Sequence, residues 1–109
     1  MAELESGTYT ALFTYDAVVH FEMMDVYNYL KETYRILKPG GMALYHHSND
    51  SSDYKNSFEY VKNRCGRNFM DKTIFAYLAY RCGFEIVEQE VINWSGYEDL
   101  DCITLLRKK

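Results

Sequence analysis

Four stretches of the chain carry hydrophobic patterns typical of β-strands. Residues 15–20 and 42–47 are nearly continuous apolar runs, as expected for strands buried on both faces of a parallel sheet. Residues 84–92 alternate in part between apolar and acidic side chains, and residues 101–107 form the last apolar run. Because only a short polar connection separates these last two stretches, we expect them to form an antiparallel hairpin.

The pattern predicts two helices between these strands and is compatible with a third, shorter helix. Apolar side chains recur at three- and four-residue spacing over residues 25–37, with Asp25 as the expected N-cap. A second helix is predicted over residues 72–82, with Asp71 as its N-cap. Residues 58–63 have the length and pattern of one or two helical turns.

The order of these elements predicts an α/β fold. A strand, a helix and a strand in succession form a right-handed crossover with two parallel strands, and the C-terminal hairpin adds two more. The run Lys38-Pro39-Gly40-Gly41 is expected to end the first helix, with Lys38 near the negative end of the helix dipole. We therefore predict about four strands with two to three helices over residues 15–109, preceded by a weakly patterned segment over residues 1–14.

Composition narrows the function classes further. The formal net charge is −4 and no basic run occurs, which argues against sequence-independent binding of nucleic acids. No apolar run has the length of a membrane span, and the first residues lack the pattern of a signal peptide, so a cytoplasmic location is expected. The 3 cysteines are far apart in sequence, which suits a reducing compartment.

The most informative polar residues follow the first two predicted strands. His20 and Glu22 come after the first strand, and His46, His47 and Asn49 lie at the end of the second. Because ligands of open α/β sheets bind outside the carboxyl ends of the parallel strands, these side chains are candidates for a binding or catalytic site. All 3 histidines of the chain are among them.

Three interpretations of these histidines remain open. His20 and Glu22, with His46 or His47, offer nitrogen and oxygen ligands for zinc or iron, but neighbouring residues on a strand point to opposite faces and cannot easily share one ion. One histidine could instead be a general base, since its usual pKa of about 6.5 suits that role. The third interpretation gives them only the ordinary hydrogen bonds of strand ends.

A second polar loop, over residues 64–68, can reach the same edge of the sheet. Arg67 offers a guanidinium group that could pair with an anionic part of a substrate, and Asn68 offers an amide beside it. The alternative is a solvated loop in which neither side chain binds a ligand. We therefore consider Arg67 and Asn68 candidate substrate-binding residues.

Several of these segments resemble the class I S-adenosylmethionine-dependent methyltransferases. Tyr15-Asp16-Ala17-Val18-Val19 is similar to that family's fourth strand, with its F/Y-D-x-V motif. Arg35-Ile36-Leu37-Lys38-Pro39-Gly40-Gly41 resembles the family's R-x-L-K-P-G-G signature, and Gly83-Phe84-Glu85-Ile86-Val87 resembles its G-F-E-V-V segment. The resemblance extends over residues 13–107 in the correct order, and it implies half of a Rossmann-like methyltransferase sheet.

The resemblance assigns roles to the residues at the strand ends. It implies that His20, Phe21 and Glu22 line the pocket of the cofactor, S-adenosylmethionine, and that His47 and Asn49 face a small-molecule methyl acceptor. His20 or His47 would be the base. The chain begins where the second half of that fold begins, and it contains neither the glycine-rich loop nor the acidic residue that holds the ribose. We therefore expect the chain alone to bind S-adenosylmethionine weakly or not at all, and to be inactive.

Two other function classes stay open beside the enzyme. The half-fold could serve as a non-catalytic assembly module that pairs with another chain, or the histidines could make the chain a metal-binding protein. In the full fold, the strand over residues 15–20 has neighbours on both sides, and here one neighbour is missing. An exposed apolar edge near residues 15–20 therefore predicts a homodimer, unless residues 1–14 fold back and cover it.

Overall fold

A mixed sheet with two helices on one face forms the framework of the protein. The computed structural model describes residues 3–51 and 65–109, and the helical turns predicted over residues 58–63 lie outside them. In this part of the chain the elements are β1 (Tyr9–Thr14), a 3₁₀ turn (Val18–His20), α1 (Met23–Ile36), β2 (Leu37–Ser48), α2 (Lys72–Arg81), β3 (Phe84–Trp94) and β4 (Tyr97–Lys108).

The order of the strands across the sheet is β1-β2-β4-β3. β1 is parallel to β2, and β4 runs antiparallel to both of its neighbours, β2 and β3. The predicted α/β fold, with two parallel strands and a C-terminal antiparallel hairpin, is thus confirmed. The hairpin is tighter than predicted, because Ser95 and Gly96 form a two-residue turn with φ values of 49° and 81°.

The position predicted for the first strand is wrong. Residues 15–20 leave the sheet at Asp16, whose φ is 55°, and Val18–His20 is a 3₁₀ turn. The turn buries the side chains of Val18 and Val19, which explains why both residues are apolar. A continuous apolar run indicates burial, but it does not distinguish a strand from a turn. The first strand, β1, lies instead within residues 1–14. The predicted division of the chain into a segment over residues 1–14 and a half-domain over residues 15–109 stays a prediction.

This correction changes which strand forms the open edge of the sheet. Among the described residues β1 pairs only with β2, so its other side has no strand beside it. The homodimer was predicted on an edge at residues 15–20, whereas the open edge in the structure is β1. Tyr9–Thr14 contains no proline and no charged residue, the usual protections of an exposed edge.

Some residues that cap the helix ends are close to them in sequence, and others are far away. Asp71 is the N-cap of α2 as predicted, since its carboxylate accepts a hydrogen bond from the Ile74 N–H at 2.8 Å. The N-cap of α1 is Glu22 and not Asp25, which lies in the first turn. At the other end of α1, the ammonium group that reaches the last carbonyls belongs to Lys108 and not to Lys38.

Lys108 joins the end of the chain to the end of α1. Its Nζ donates hydrogen bonds to the carbonyls of Tyr34 and Leu37 at 2.7 and 2.8 Å, and it lies 4.4 Å from the centre of the Tyr34 ring. A cation at this position stabilises the negative end of the helix dipole. β2 begins directly at Leu37, so Lys38 and the glycines after it belong to the strand.

The core lies between the helices and one face of the sheet. Its largest buried side chains come from α1, α2 and three of the strands: Leu30, Tyr45, Phe75, Phe84 and Leu106. The opposite face, called the open face below, carries the cross-strand row Phe13, Leu44 and Leu105 and has no helix over it among the described residues. None of the described helices is long and apolar enough to cross a membrane.

Replacing Gly83 by alanine is expected to lower the free energy of unfolding by about 2 kcal/mol. Gly83 has a φ of +106°, and a Cβ there would lie 2.9 Å from the Tyr34 ring, which Phe84 and Lys108 hold in place. Gly40→Ala is the matched control, because Gly40 also has a positive φ but nothing lies within 4 Å of its Cβ position. Urea denaturation should show a loss at Gly40 of only about 1 kcal/mol; equal losses would contradict the steric argument.

Candidate functional site

Three parallel strands end at one edge of the sheet, called the carboxyl edge below. β3 is antiparallel to β4, and β4 is antiparallel to β2, so β1, β2 and β3 all run in the same direction. Their last residues, Thr14, Ser48 and Trp94, mark this edge. The structure therefore contains the predicted edge at which parallel strands end.

Asn68 ties the second polar loop to this edge. Its backbone N–H donates to the Val19 carbonyl at 2.8 Å. Its side-chain amide donates to the Phe21 carbonyl and accepts a hydrogen bond from the Ser48 hydroxyl. Asn68 is 8% exposed, so it holds the turn after β1 in position rather than offering a free amide to solvent.

The three residues predicted to line the cofactor pocket lie together on this turn. His20 is exposed, and its Nδ1–H donates to the Gly66 carbonyl at 2.8 Å. This bond places the proton on Nδ1 and leaves a lone pair on Nε2, which has no partner among the described residues. Phe21 is half-buried with its ring centre 5.9 Å from that of Tyr29, and Glu22 is exposed at the start of α1.

His46 is held by two hydrogen bonds on the open face. The Asp16 N–H donates to Nδ1 at 2.8 Å, so the ring proton is on Nε2, which lies 2.6 Å from an Asp101 oxygen. Arg67 donates to both oxygens of the same carboxylate, from Nε at 2.8 Å and from Nη2 at 2.5 Å. His46, Arg67 and Asp101 are all at most 3% exposed.

The charges of this buried group are balanced. Burial by itself raises the pKa of a carboxyl group, but hydrogen bonds from His46 and Arg67, with the positive charge of Arg67, outweigh burial and hold the pKa of Asp101 below its usual range. Asp101 is therefore ionised at neutral pH, and its charge is matched by the guanidinium of Arg67. The structure thus gives Arg67 a partner within the protein, and binding of a substrate anion by this side chain stays a prediction.

His47 points to the opposite face of the sheet, into the core. Its ring stacks on Phe75 at 3.8 Å between centroids. Nδ1–H donates to the Ser48 carbonyl at 2.9 Å, and Nε2 accepts from the Thr104 hydroxyl at 2.7 Å. Burial lowers the pKa of His47 to about 4, although the bond to the carbonyl of Ser48 opposes this. Both nitrogens are engaged, so His47 holds the sheet and α2 together in this structure.

Asn49 also has its polar groups engaged. Its Oδ1 accepts a hydrogen bond from the Lys72 N–H at 2.9 Å, and its Nδ2 donates to the Asp99 carbonyl at 3.1 Å. The side chain thereby links the end of β2 to β4 and to the start of α2. The roles in acceptor binding predicted for His47 and Asn49 stay predictions.

His46 and His47 lie on opposite faces, as the alternation along a strand predicts. No three His, Cys, Asp or Glu side chains in residues 3–51 and 65–109 lie close enough together to hold a metal ion. The structure therefore does not bring together the set His20, Glu22 and His46 or His47 considered above.

Three residues of this edge were missed by the sequence interpretation. Asp101 was read as part of an apolar strand, and Trp94 as part of a polar connection. Tyr15 was read as the start of a strand, whereas its ring lies 4.9 Å from His46 and 5.6 Å from Trp94. A carboxylate inside an apolar run was the one available signal, because a buried carboxylate requires a partner.

Solved structures of methyltransferases share this fold. A S-adenosylmethionine-dependent methyltransferase from Methanosarcina mazei matches with a TM-score of 0.74 and 15% identity, over 97% of this chain and 62% of that one. A putative sarcosine dimethylglycine methyltransferase from Galdieria sulphuraria matches with a TM-score of 0.74 and 16% identity, over 98% and 56%. A geranyl diphosphate C-methyltransferase from Streptomyces coelicolor, in complex with S-adenosyl-L-homocysteine, matches at 0.73 and 10%, over 98% and 49%.

The predicted likeness to part of a class I methyltransferase is thus confirmed at the level of the fold. The chain spans about half the length of the solved structures it matches. A [4+2]-cyclase matches equally well, with a TM-score of 0.73 and 13% identity, so the likeness extends to a protein named for another reaction. No protein-family model and no curated protein matches the sequence.

Proposed function

We propose that this chain contributes residues to the site of a S-adenosylmethionine-dependent methyl transfer. The observation that carries the proposal is the stretch His20-Phe21-Glu22, in which His20 and Glu22 are exposed, at the carboxyl edge of a sheet with the methyltransferase fold. A small molecule is the proposed acceptor. The homodimer through β1, the cytoplasmic location and the absence of a nucleic-acid partner belong to the same proposal.

The proposed roles follow from which groups are free at this edge. His20 and Glu22 would contact S-adenosylmethionine, which supplies a methyl group on a positively charged sulfur when bound. The lone pair on His20 Nε2 can take a proton from an acceptor, because Nδ1–H is held by Gly66. Of the two bases predicted from the sequence, His20 is supported by its exposure, whereas both ring nitrogens of His47 are engaged.

The 109-residue chain alone is expected to bind S-adenosyl-L-homocysteine only weakly, with a Kd of about 1 mM, because a shelf of three residues buries little of such a ligand. Titration followed by ¹⁵N–¹H correlation spectra measures affinities in this range. The amide signals of His20, Phe21 and Glu22 should shift, and His20→Ala should reduce the shifts. Calorimetry should detect no low-micromolar binding.

The control for this titration is a residue far from the carboxyl edge. Tyr80→Leu changes an exposed ring on α2 and should leave the affinity unchanged. Signal shifts confined to β3, around Val87 and Glu88, would contradict the proposed site. The absence of any shift at millimolar ligand would contradict it as well.

A further inference from the structure

Aromatic rings cover the open face of the sheet next to the carboxyl edge. The Tyr15 side chain is 53% exposed, and Phe13 is 66% exposed. Their rings are stacked and parallel within 5°, with centroids 6.3 Å apart, at the end of β1. His46 and Trp94 pack against Tyr15 and fix its ring in this position.

The faces of such rings attract cations, because the π-electrons give each face a partial negative charge. The structure already contains one example at this site, since the Arg67 guanidinium lies 5.5 Å from the centre of the Trp94 ring. That contact lies within the protein. The exposed rings of Tyr15 and Phe13 are those that a ligand can reach.

The charges around the rings favour the same kind of ligand. Asp16, Glu22 and Asp99 are exposed carboxylates at the carboxyl edge. Arg67 is matched by the buried carboxylate of Asp101, and Lys72 is an exposed cation at the start of α2. The edge therefore has an excess of negative charge, which attracts a cation and repels an anion.

From the rings and the charges together, we infer that the surface formed by Phe13 and Tyr15 binds a small organic ammonium ion. This inference rests on the proposed function and names its substrate class. The methyl acceptor is an amine that binds as an ammonium ion and gives one proton to the proposed base His20. The freed nitrogen lone pair then takes the methyl group as the methyl–sulfur bond breaks, and the methylated product is again a cation. A quaternary ammonium group fits best, because it combines a permanent positive charge with methyl groups that pack on an aromatic face.

Choline and its neutral analogue 3,3-dimethyl-1-butanol test this inference directly. The two molecules have the same shape and differ only in the charged nitrogen, which is a carbon in the analogue. Trp94 is the only tryptophan of the chain, so its indole N–H signal reports on this site alone. At constant ionic strength, choline should shift the signals of Trp94 and Tyr15 and bind roughly threefold more tightly than the analogue.

Variants locate the response on the ring. Tyr15→Phe keeps an aromatic face and should keep most of the preference for choline, whereas Tyr15→Leu should abolish the preference. Tyr80→Leu removes an exposed ring on α2, which is 69% exposed, and should change nothing. The comparison of the two ligands on the unaltered protein needs no variant, so it decides the question even if Tyr15→Leu does not fold.

Three results would overturn the inference. Equal affinities for choline and the analogue would show an apolar patch without selectivity for charge. No response to either ligand at tens of millimolar, or an unchanged preference in Tyr15→Leu, would exclude the ring surface as the site. None of these results depends on S-adenosyl-L-homocysteine, whose effect on the signals of His20, Phe21 and Glu22 tests the proposed function separately.

Discussion

Asp101→Ala is expected to lower the free energy of unfolding by about 3–5 kcal/mol. The substitution leaves the guanidinium of Arg67 buried without its carboxylate partner, and it removes the acceptor for the Nε2–H of His46. An uncompensated buried charge is costly because the low-polarity interior cannot replace the lost solvation. Urea denaturation at neutral pH, with the slope of the transition compared between proteins, measures the loss.

Two control variants separate burial from charge in this experiment. Glu85→Ala breaks a partly exposed ion pair with Arg107 between β3 and β4, so its expected cost is below about 1 kcal/mol. The double variant Arg67→Met with Asp101→Leu removes both charges and should recover much of the loss. A cost for Asp101→Ala as small as that of Glu85→Ala would show that the buried group does not stabilise the fold.

Acidification is expected to destabilise the protein by about 3 kcal/mol between pH 6.5 and pH 4, through His47. The unfolded chain takes up a proton at this residue near pH 6.5, whereas burial keeps the native ring neutral until about pH 4. The unfolded state therefore binds more protons within this range, so stability falls as the pH falls and is constant above it. Denaturation midpoints at several pH values measure the slope.

His47→Gln removes the titrating ring and should remove most of this pH dependence. His20→Gln is the matched control, because it makes the same substitution at an exposed histidine and leaves His47 in place. The loss of stability linked to Asp101 lies mostly at lower pH, because the unfolded carboxyl takes up its proton near its ordinary pKa of about 3.9 and the folded carboxyl does so below that. A slope that persists in His47→Gln would show that another group dominates.

Elements with local signals could be predicted from the sequence, whereas those that depend on distant partners could not. Asp71 caps a helix through an N–H three residues away, and Gly83 ends the same helix, so a short window contains the whole signal. Val18 and Val19 were misassigned because their apolar character is equally consistent with a strand and with a buried turn. Length and composition of a short apolar run do not distinguish the two.

The candidate site shows the same difference between local signals and contacts with distant residues. The predicted meeting of strand ends at one edge follows from the order of the elements, whereas His20 lies on the turn Val18–His20 and not at a strand end. Asp101 lies 34 residues from Arg67 and 55 from His46 in sequence. Contacts over such distances depend on the register between β2 and β4, which hydrophobic patterns specify only to within a face of the sheet.

The position of β4 has a consequence for how the chain acquires its structure. β4 lies between β2 and β3, yet it follows both of them in sequence. During synthesis, β2 and β3 leave the ribosome before the strand that separates them exists, and their facing edges stay unpaired until β4 arrives. Folding of the sheet must therefore wait for the last of its strands. This order favours slow folding and leaves the two edges open to pairing with other chains until β4 is made.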